Sequence, residues 1–202
     1  MTTQPTGRTR VILARAIADA KSVTLGDRSH PAAVLVVEEP PYVRVLARGA
    51  WPDVASHEAA ASAEHVQRPT SVVLPGLINA HTHLDLTGIG PRPHDPNEPF
   101  SSWIAMIRAE RPTTEDAIRH AVAEGVRLSR LGGVAAVGDI AGAVGGAASP
   151  IAARALAASG MAGVSFIEFF AIGYAARDRL DAVTRVVHAL INGQAGAFRV
   201  GI

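Results

Sequence analysis

The stretch LPGLINAHTHLD, residues Leu74–Asp85, contains the pattern that decides the fold. An apolar run with a Pro-Gly pair inside it leads directly into His81 and His83, which stand two positions apart. In an extended backbone, residues two apart project to the same side. We therefore predict a buried strand whose carboxyl end presents two imidazoles together, with Thr82 facing away.

Downstream of this stretch, apolar runs alternate with helical patterns. The runs typical of strands are Ser71–Asn79, Val134–Ile140, Ala162–Phe170 and Phe198–Ile202, and the helical patterns are Phe100–Arg108, Thr114–Leu131, Pro150–Ser159 and Asp178–Asn192. Strands that alternate with helices predict parallel βαβ units. Four such units are about half of a (β/α)8 barrel. Because the last strand pattern reaches the final residue, we expect an N-terminal fragment of a longer protein.

Residues 1–70 have a different character, with short apolar runs separated by turn residues. Val34–Val37 and Tyr42–Ala47 are typical of strands, whereas Ala14–Thr24 is ambiguous between helix and strand. The predicted fold class is therefore α/β, a partial TIM-type (β/α)8 barrel over residues 71–202 preceded by a small β-sandwich segment over residues 1–70.

The composition excludes several classes of function. Hydrophobic residues make up 48% of the chain and charged residues 18%, which is typical of a globular protein. A net charge of +1 gives no support for a nucleic acid or an anionic membrane as partner. With no cysteine, disulfides, thiolate metal sites and cysteine nucleophiles are excluded. No apolar run approaches the ~20 residues of a membrane span, and the first 20 residues are too polar for a secretion signal. We expect a cytoplasmic protein.

Neutral imidazole is a good ligand for zinc and for ferrous iron. An isolated His-x-His is more often a pair of surface histidines than a metal site. The position of His81 and His83 favours a site, because parallel barrels carry their chemistry at the carboxyl ends of strands.

The run VLPGLINAHTHLDLT resembles the first-strand signature of the amidohydrolase superfamily, and within it the cytosine deaminase-like branch. That branch includes base and nucleoside deaminases, triazine chlorohydrolases and aminofutalosine deaminase-like enzymes. The Phe100-x-x-Trp103 pattern and the run GGVAAVGDI are similar to the same branch. The resemblance covers residues 71–202, and residues 1–70 match only in general character.

The resemblance implies that His81 and His83 bind one divalent metal, Zn or Fe(II). The other family ligands are a later-strand histidine in a Pro-His setting, a further histidine and a late aspartate. None of these can be assigned here, and neither can a catalytic acid or base. In some members of the superfamily, a carboxylated lysine bridges two metals. Lys21 is the only lysine of this chain and lies in residues 1–70, outside the predicted barrel. Its position favours a mononuclear site.

The implied function is metal-dependent hydrolysis of a non-peptide carbon–nitrogen bond, most readily deamination of a heterocyclic or nucleoside-like amine. A chlorohydrolase and an imidazolone-type hydrolase of the same fold are the alternatives. We expect the fragment alone to be inactive. The expected partner is a small-molecule substrate, with no nucleic acid and no membrane. A homodimer is left as an alternative to a monomer.

Three further side chains are candidates for contact with substrate: Asp85, Trp103 and Glu168. Asp85 follows the two histidines, and its alternative role is to cap the next turn. Glu168 lies in an apolar run, where a buried carboxylate needs a partner, so it either faces the barrel mouth or pairs with an arginine. Asp139 either faces the site or caps a turn. His94, in a proline-rich loop, either covers the site or is solvated.

Two other classes of protein are alternatives to the hydrolase, a dinucleotide-binding oxidoreductase and a non-catalytic half-barrel. Gly138, Gly142, Gly145 and Gly146 follow a strand and precede a helix, as in a dinucleotide-binding oxidoreductase. Their spacing is not G-x-G-x-x-G. A non-catalytic half-barrel is the other alternative, and the His-x-His pair speaks against it.

Overall fold

Apolar residues near the start of the chain form a five-stranded sheet. In the computed structural model, which describes residues 7–39, 42–93, 95–170, 173, 176–192 and 198–201, the chain divides into the units Met1–Pro75 and Gly76–Ile202. The strands of the first unit are β1 (Arg8–Ala18), β2 (Val23–Leu25), β3 (Ala32–Glu39), β4 (Tyr42–Ala50) and β5 (Glu64–Val73). Between β4 and β5 lie the short helix α1 (Trp51–Ala55) and the 3₁₀ helix η1 (Glu58–Ala60).

Strand β1 is the centre of this sheet. It pairs antiparallel with β2 and β3 and parallel with β5, and β4 adds antiparallel to β3. Val11, Leu13 and Leu35 are buried on one face together with Val54 of α1. This burial explains why the first third of the chain holds a core of its own.

The second unit contains a parallel sheet in the order β11-β10-β7-β6. Its strands are β6 (Leu77–Thr82), β7 (Val134–Ala141), β10 (Ala162–Ile167) and β11 (Phe198–Gly201), and its helices are the 3₁₀ helix η2 (Leu84–Ile89), α2 (Phe100–Glu110), α3 (Glu115–Leu131), α4 (Ile151–Ala158) and α5 (Ala176–Ile191). Apolar residues of α3, α4 and α5 pack with Val137, Ala141 and Ile167 of the sheet. One face of the sheet is therefore covered by helices.

The helix α3 illustrates how the sequence sets an element. Thr114 caps it, because its Oγ1 accepts a hydrogen bond from the Ala117 N–H at 3.3 Å. Ile118, Val122 and Val126 are buried at helical spacing. Leu128, two positions after Val126, is exposed.

Several sequence predictions need correction. The predicted strand Ser71–Asn79 is two strands, because β5 ends at Val73 and β6 begins at Leu77, with the Pro-Gly pair between them. Proline has no N–H to give to a ladder. The units consequently divide after Pro75, five residues later than predicted.

The described residues of the first unit form one five-stranded sheet, and the small β-sandwich stays a prediction. The ambiguous segment Ala14–Thr24 is mostly strand. In the second unit, the predicted strand Ala162–Phe170 ends at Ile167. Phe198–Gly201 is a strand as predicted, and Ile202 and His94 lie outside the described residues.

Two of the four glycines that suggested a dinucleotide-binding turn, Gly145 and Gly146, form the turn of a short hairpin instead. The two-residue strands β8 (Ala143–Val144) and β9 (Ala147–Ala148) pair antiparallel. Gly145 and Gly146 connect them with φ of 60° and 81°, the left-handed conformation that tight hairpin turns require. Among the described residues, no helix is long and apolar enough to cross a membrane.

Candidate metal centre

The end of β6 is irregular where the two histidines stand. Asn79 pairs with Val137 and Thr82 with Asp139, so β6 advances three residues while β7 advances two. This extra residue is a β-bulge, a feature that redirects side chains. Asn79 stabilises it, because its Oδ1 accepts a hydrogen bond from the His81 N–H at 3.3 Å.

The bulge requires close contact between the two strands. A Cβ added at Gly138 would lie 2.5 Å from the carbonyl oxygen of Ala80. Only glycine lets the backbone of β7 approach β6 this closely at this point.

The register assigns the faces of the sheet. Val137 and Ala141 pack among the helices, and Asp139, which alternates with them, lies on the same face. Thr82 pairs with Asp139. The residues on either side of Thr82 therefore project from the other face.

The rings of His81 and His83 lie together, with centroids 5.3 Å apart and planes inclined at 69°. Two imidazoles that share a tetrahedral zinc, with Zn–N bonds of about 2.1 Å, have centroids about 5 Å apart. Nδ1 of His83 is buried and has no hydrogen-bond partner among the described residues. The pair thus matches the spacing of two ligands and offers an unsatisfied nitrogen.

Asp85 and Glu168 both form ion pairs with Arg111, a residue that the sequence did not single out. The Arg111 guanidinium contacts Asp85 Oδ2 through Nη2 at 3.2 Å and Nε at 3.3 Å, and it reaches Glu168 Oε2 at 3.5 Å. Asp85 is buried, and its Oδ1 has no partner within the described part of the chain. Burial raises the pKa of Asp85, while the charge of Arg111 opposes that rise. The signal for Arg111 was the pair of acidic residues in apolar surroundings, which require a cation.

Asp139 is fully buried on the helix-covered face. Its Oδ1 accepts a hydrogen bond from the Leu84 N–H at 2.9 Å, and its Oδ2 has no partner among the described residues. Burial raises its pKa to about 7, and the charge of Asp85 adds to the rise, although the Leu84 N–H opposes it. Asp139 does not line the face of the two histidines. It has the alternative role, because it accepts the N–H of Leu84 and so caps the first turn of η2.

Trp103 lies in a different setting. Its ring stacks on Phe100 with centroids 5.4 Å apart, and both rings line a surface depression of about 560 Å³. The depression also carries Arg92 and Glu110, which form an ion pair. Trp103 thus lines this depression, and the structure does not group it with the histidines.

Within the described residues, no group of three or more His, Cys, Asp or Glu side chains is arranged to hold a metal ion. A catalytic zinc site takes three protein ligands and a water. The histidine pair is thus a partial ligand set.

Solved structures share this arrangement of elements. The chain matches aminofutalosine deaminase from Helicobacter pylori with a TM-score of 0.67 and 19% identity, over 95% of this chain and 42% of that one. It matches the zinc complex of atrazine chlorohydrolase from Arthrobacter aurescens with a TM-score of 0.72 and 18% identity, over 95% and 46%. The chain has the fold of the N-terminal part of amidohydrolase-superfamily enzymes.

A third amidohydrolase, an adenosine deaminase from Xanthomonas campestris with bound zinc, matches with a TM-score of 0.61 and 17% identity, over 98% of this chain and 43% of that one. The chain thus spans less than half the length of these amidohydrolases, and the family resemblance of the sequence is confirmed at the level of fold. No protein-family model and no curated protein matches the sequence.

Proposed function

We propose that this chain is the metal-binding first half of a (β/α)8-barrel hydrolase that deaminates a heterocyclic or nucleoside-like amine in the cytoplasm. The observation that carries the proposal is the convergence of the His81 and His83 rings beside the carboxyl end of β6. The amidohydrolase fold supports it, because two of the three structures compared above hold zinc.

The chemistry of the pair fits one divalent cation, zinc or ferrous iron. When bound, such a cation acts as a Lewis acid and activates water for attack on a carbon that carries an amine. In this chain, His81 and His83 would supply two imidazole nitrogen ligands, and the bulge in β6 orients them. Under this proposal, the remaining ligands and the proton-transferring acid would come from residues outside the given sequence.

The other candidates take distinct roles in this proposal. Asp85 and Glu168 share the Arg111 guanidinium, so the charge of each carboxylate is balanced by Arg111, and the charge of Asp85 also acts on His83. Glu168 is the more exposed of the two and is the better candidate for contact with a substrate amine. Trp103 offers a stacking surface for a planar substrate.

The test is metal titration of the untagged chain, with histidine ring signals followed by NMR. Zn²⁺ should shift the His81 and His83 signals together along one binding curve. His81→Ala should weaken the binding by about tenfold or more, since even residues that only support ligands change affinity by ~10–100-fold.

His120→Ala is the matched control, because His120 is an exposed histidine on α3. It should leave the titration unchanged. If zinc shifts His120 as strongly as His81 and His83, or shifts neither member of the pair, the metal site is wrong.

The second candidate is a chlorohydrolase, which the match to atrazine chlorohydrolase favours. The two reactions release different products. We expect the coding sequence after Ile202 to supply a Pro-His motif and a late aspartate, and the full polypeptide to release ammonia from aminopurines. Chloride release from a chlorotriazine without ammonia release would favour the alternative.

A further inference from the structure

The 3₁₀ helix η2 begins directly after His83 without a cap of its own. The first N–H groups of a helix lack partners within it, and the side chain of His83 accepts no hydrogen bond from the helix. The acceptor for the Leu84 N–H comes instead from Asp139 on β7, at 2.9 Å and 55 positions along the chain.

The position of Asp139 is energetically unfavourable for a carboxylate. It is fully buried, only one of its two oxygens has a partner among the described residues, and Asp85 is close enough to repel its charge. Burial of a polar group is costly unless its hydrogen bonds are satisfied. An apolar residue at 139 would avoid that cost but would leave the Leu84 N–H without its acceptor.

The hydrogen bond from the Leu84 N–H to Asp139 restrains the peptide group between His83 and Leu84. The carbonyl of His83 accepts the Leu86 N–H at 3.1 Å, and the neighbouring N–H, that of Leu84, is held by Asp139. Upstream, the His81 N–H is held by Asn79. Both histidines therefore stand on backbone that is restrained by hydrogen bonds.

We propose that Asp139 is a positioning residue: its carboxylate anchors the backbone at the end of β6 and so holds the His81 and His83 rings at the separation that a shared cation needs. The last step rests on the proposed metal site. The anchoring of the rings does not.

Two variants separate shape from hydrogen bonding. Asp139→Asn keeps an oxygen acceptor of the same geometry, whereas Asp139→Ala removes it. In Asp139→Ala, exchange of the Leu84 amide should quicken by about tenfold, the ring signals of His81 and His83 should move, and zinc affinity should fall by ~10–100-fold. Asp139→Asn should restore all three, while exchange of the Val137 amide in the core of β7 should stay the same in every variant.

Val183→Ala is the control for the loss of a buried side chain. Val183 is as fully buried as Asp139 and belongs to the apolar cluster that includes Val137 and Ala141, but it lies on α5. Val183→Ala should leave the ring signals and the Leu84 exchange at wild-type values.

Two results would overturn the proposal: unmoved histidine signals in a folded Asp139→Ala variant, or equal changes in Asp139→Asn and Asp139→Ala. A scalar coupling between the Leu84 amide nitrogen and the Asp139 carboxylate carbon tests the hydrogen bond in the wild-type chain. This measurement decides the proposal even if a variant fails to fold. The absence of this coupling would also overturn it. If wild type shows the coupling and the ring shifts but binds no zinc, the metal site fails and the anchor stands.

Discussion

At the scale of single residues, Arg111 balances the charges of two carboxylates, those of Asp85 and Glu168. Asp85 is buried beside it, and Glu168 is partly exposed. Removal of one partner from a buried ion pair is costly, because the other charge then stays in a poorly solvated place.

Arg111→Met should therefore lower the free energy of unfolding at pH 7 by about 3 kcal/mol. Asp85→Asn in the same chain should recover most of that loss. Urea unfolding measures both, and Arg108→Met, on the exposed side of α2, is the control that should change little. A loss of the same size in the control would remove the ion pair as the cause.

Asp139 predicts a pH dependence of stability. Its pKa is raised from 3.8 to about 7 in the folded chain, so the folded state binds the proton more tightly than the unfolded state. The stabilising contribution is complete below pH ~4 and is lost as the pH rises through ~7.

Relative to Asp139→Asn, wild type should lose at most about 4 kcal/mol of unfolding free energy between pH 4 and pH 7, from about 1.4 kcal/mol per pH unit. Urea unfolding of both proteins at four pH values measures this difference. Parallel curves for the two proteins would show that Asp139 does not titrate in this range.

The sequence predicted the histidine pair because its spacing and context are local. Arg111 could not be located in the same way, since its two carboxylate partners follow β6 and β10 while it follows α2. For Glu168 the sequence left open a pairing with an arginine, and the structure shows that pairing.

At the scale of elements, the bulge of β6 depends on its neighbour. Gly138 lies against the Ala80 carbonyl, and a Cβ there would approach to 2.5 Å. The atom it would meet is backbone, which cannot turn away as a side chain can.

Gly138→Ala should destabilise the chain by about 1–3 kcal/mol, the usual cost of overpacking, and should weaken zinc binding because β6 shifts. Gly88→Ala is the control, since nothing lies within 4 Å of its Cβ position. Thermal unfolding and zinc titration are the measurements. Equal effects of the two substitutions would refute the close approach as the cause.

Helices were easier to predict than the strand before the site. The helix α3 has a capping threonine, acidic residues in its first turn and apolar residues at helical spacing, which are all local signals. The apolar run from Ser71 to Asn79 offers no signal that its two ends pair with different sheets, β5 with β1 and β6 with β7.

At the scale of the whole molecule, the four described strands of the parallel sheet leave its two edges unpaired. Among the described strands, β6 pairs only with β7, and its Ile78 side chain is 74% exposed. Unpaired strands with exposed apolar residues favour edge-to-edge association.

Ile78→Lys should reduce concentration-dependent association of the chain, since a charge on an edge strand opposes pairing. Leu131→Lys is the matched control, because Leu131 is 73% exposed but lies at the end of a helix. Sedimentation velocity over a range of concentrations compares them. If both substitutions reduce association equally, general hydrophobicity is responsible and not the edge.

The sequence predicted the α/β class, because alternation of strands and helices is visible along the chain. The described sheet has four strands and does not close. A barrel remains part of the proposal, because closure depends on strands that would pair with β6 and β11.

The order of strands in the two sheets has a consequence for biosynthesis. In the parallel sheet, each strand lies beside the one that precedes it in the main path, β6, β7, β10 and β11, so a nascent chain can add them one at a time as they leave the ribosome. The first sheet is different, because Arg10 of β1 pairs with Glu64 of β5. The edge of β1 that pairs with β5 therefore stays unpaired until some fifty more residues have been translated. A chaperone would matter most during that interval.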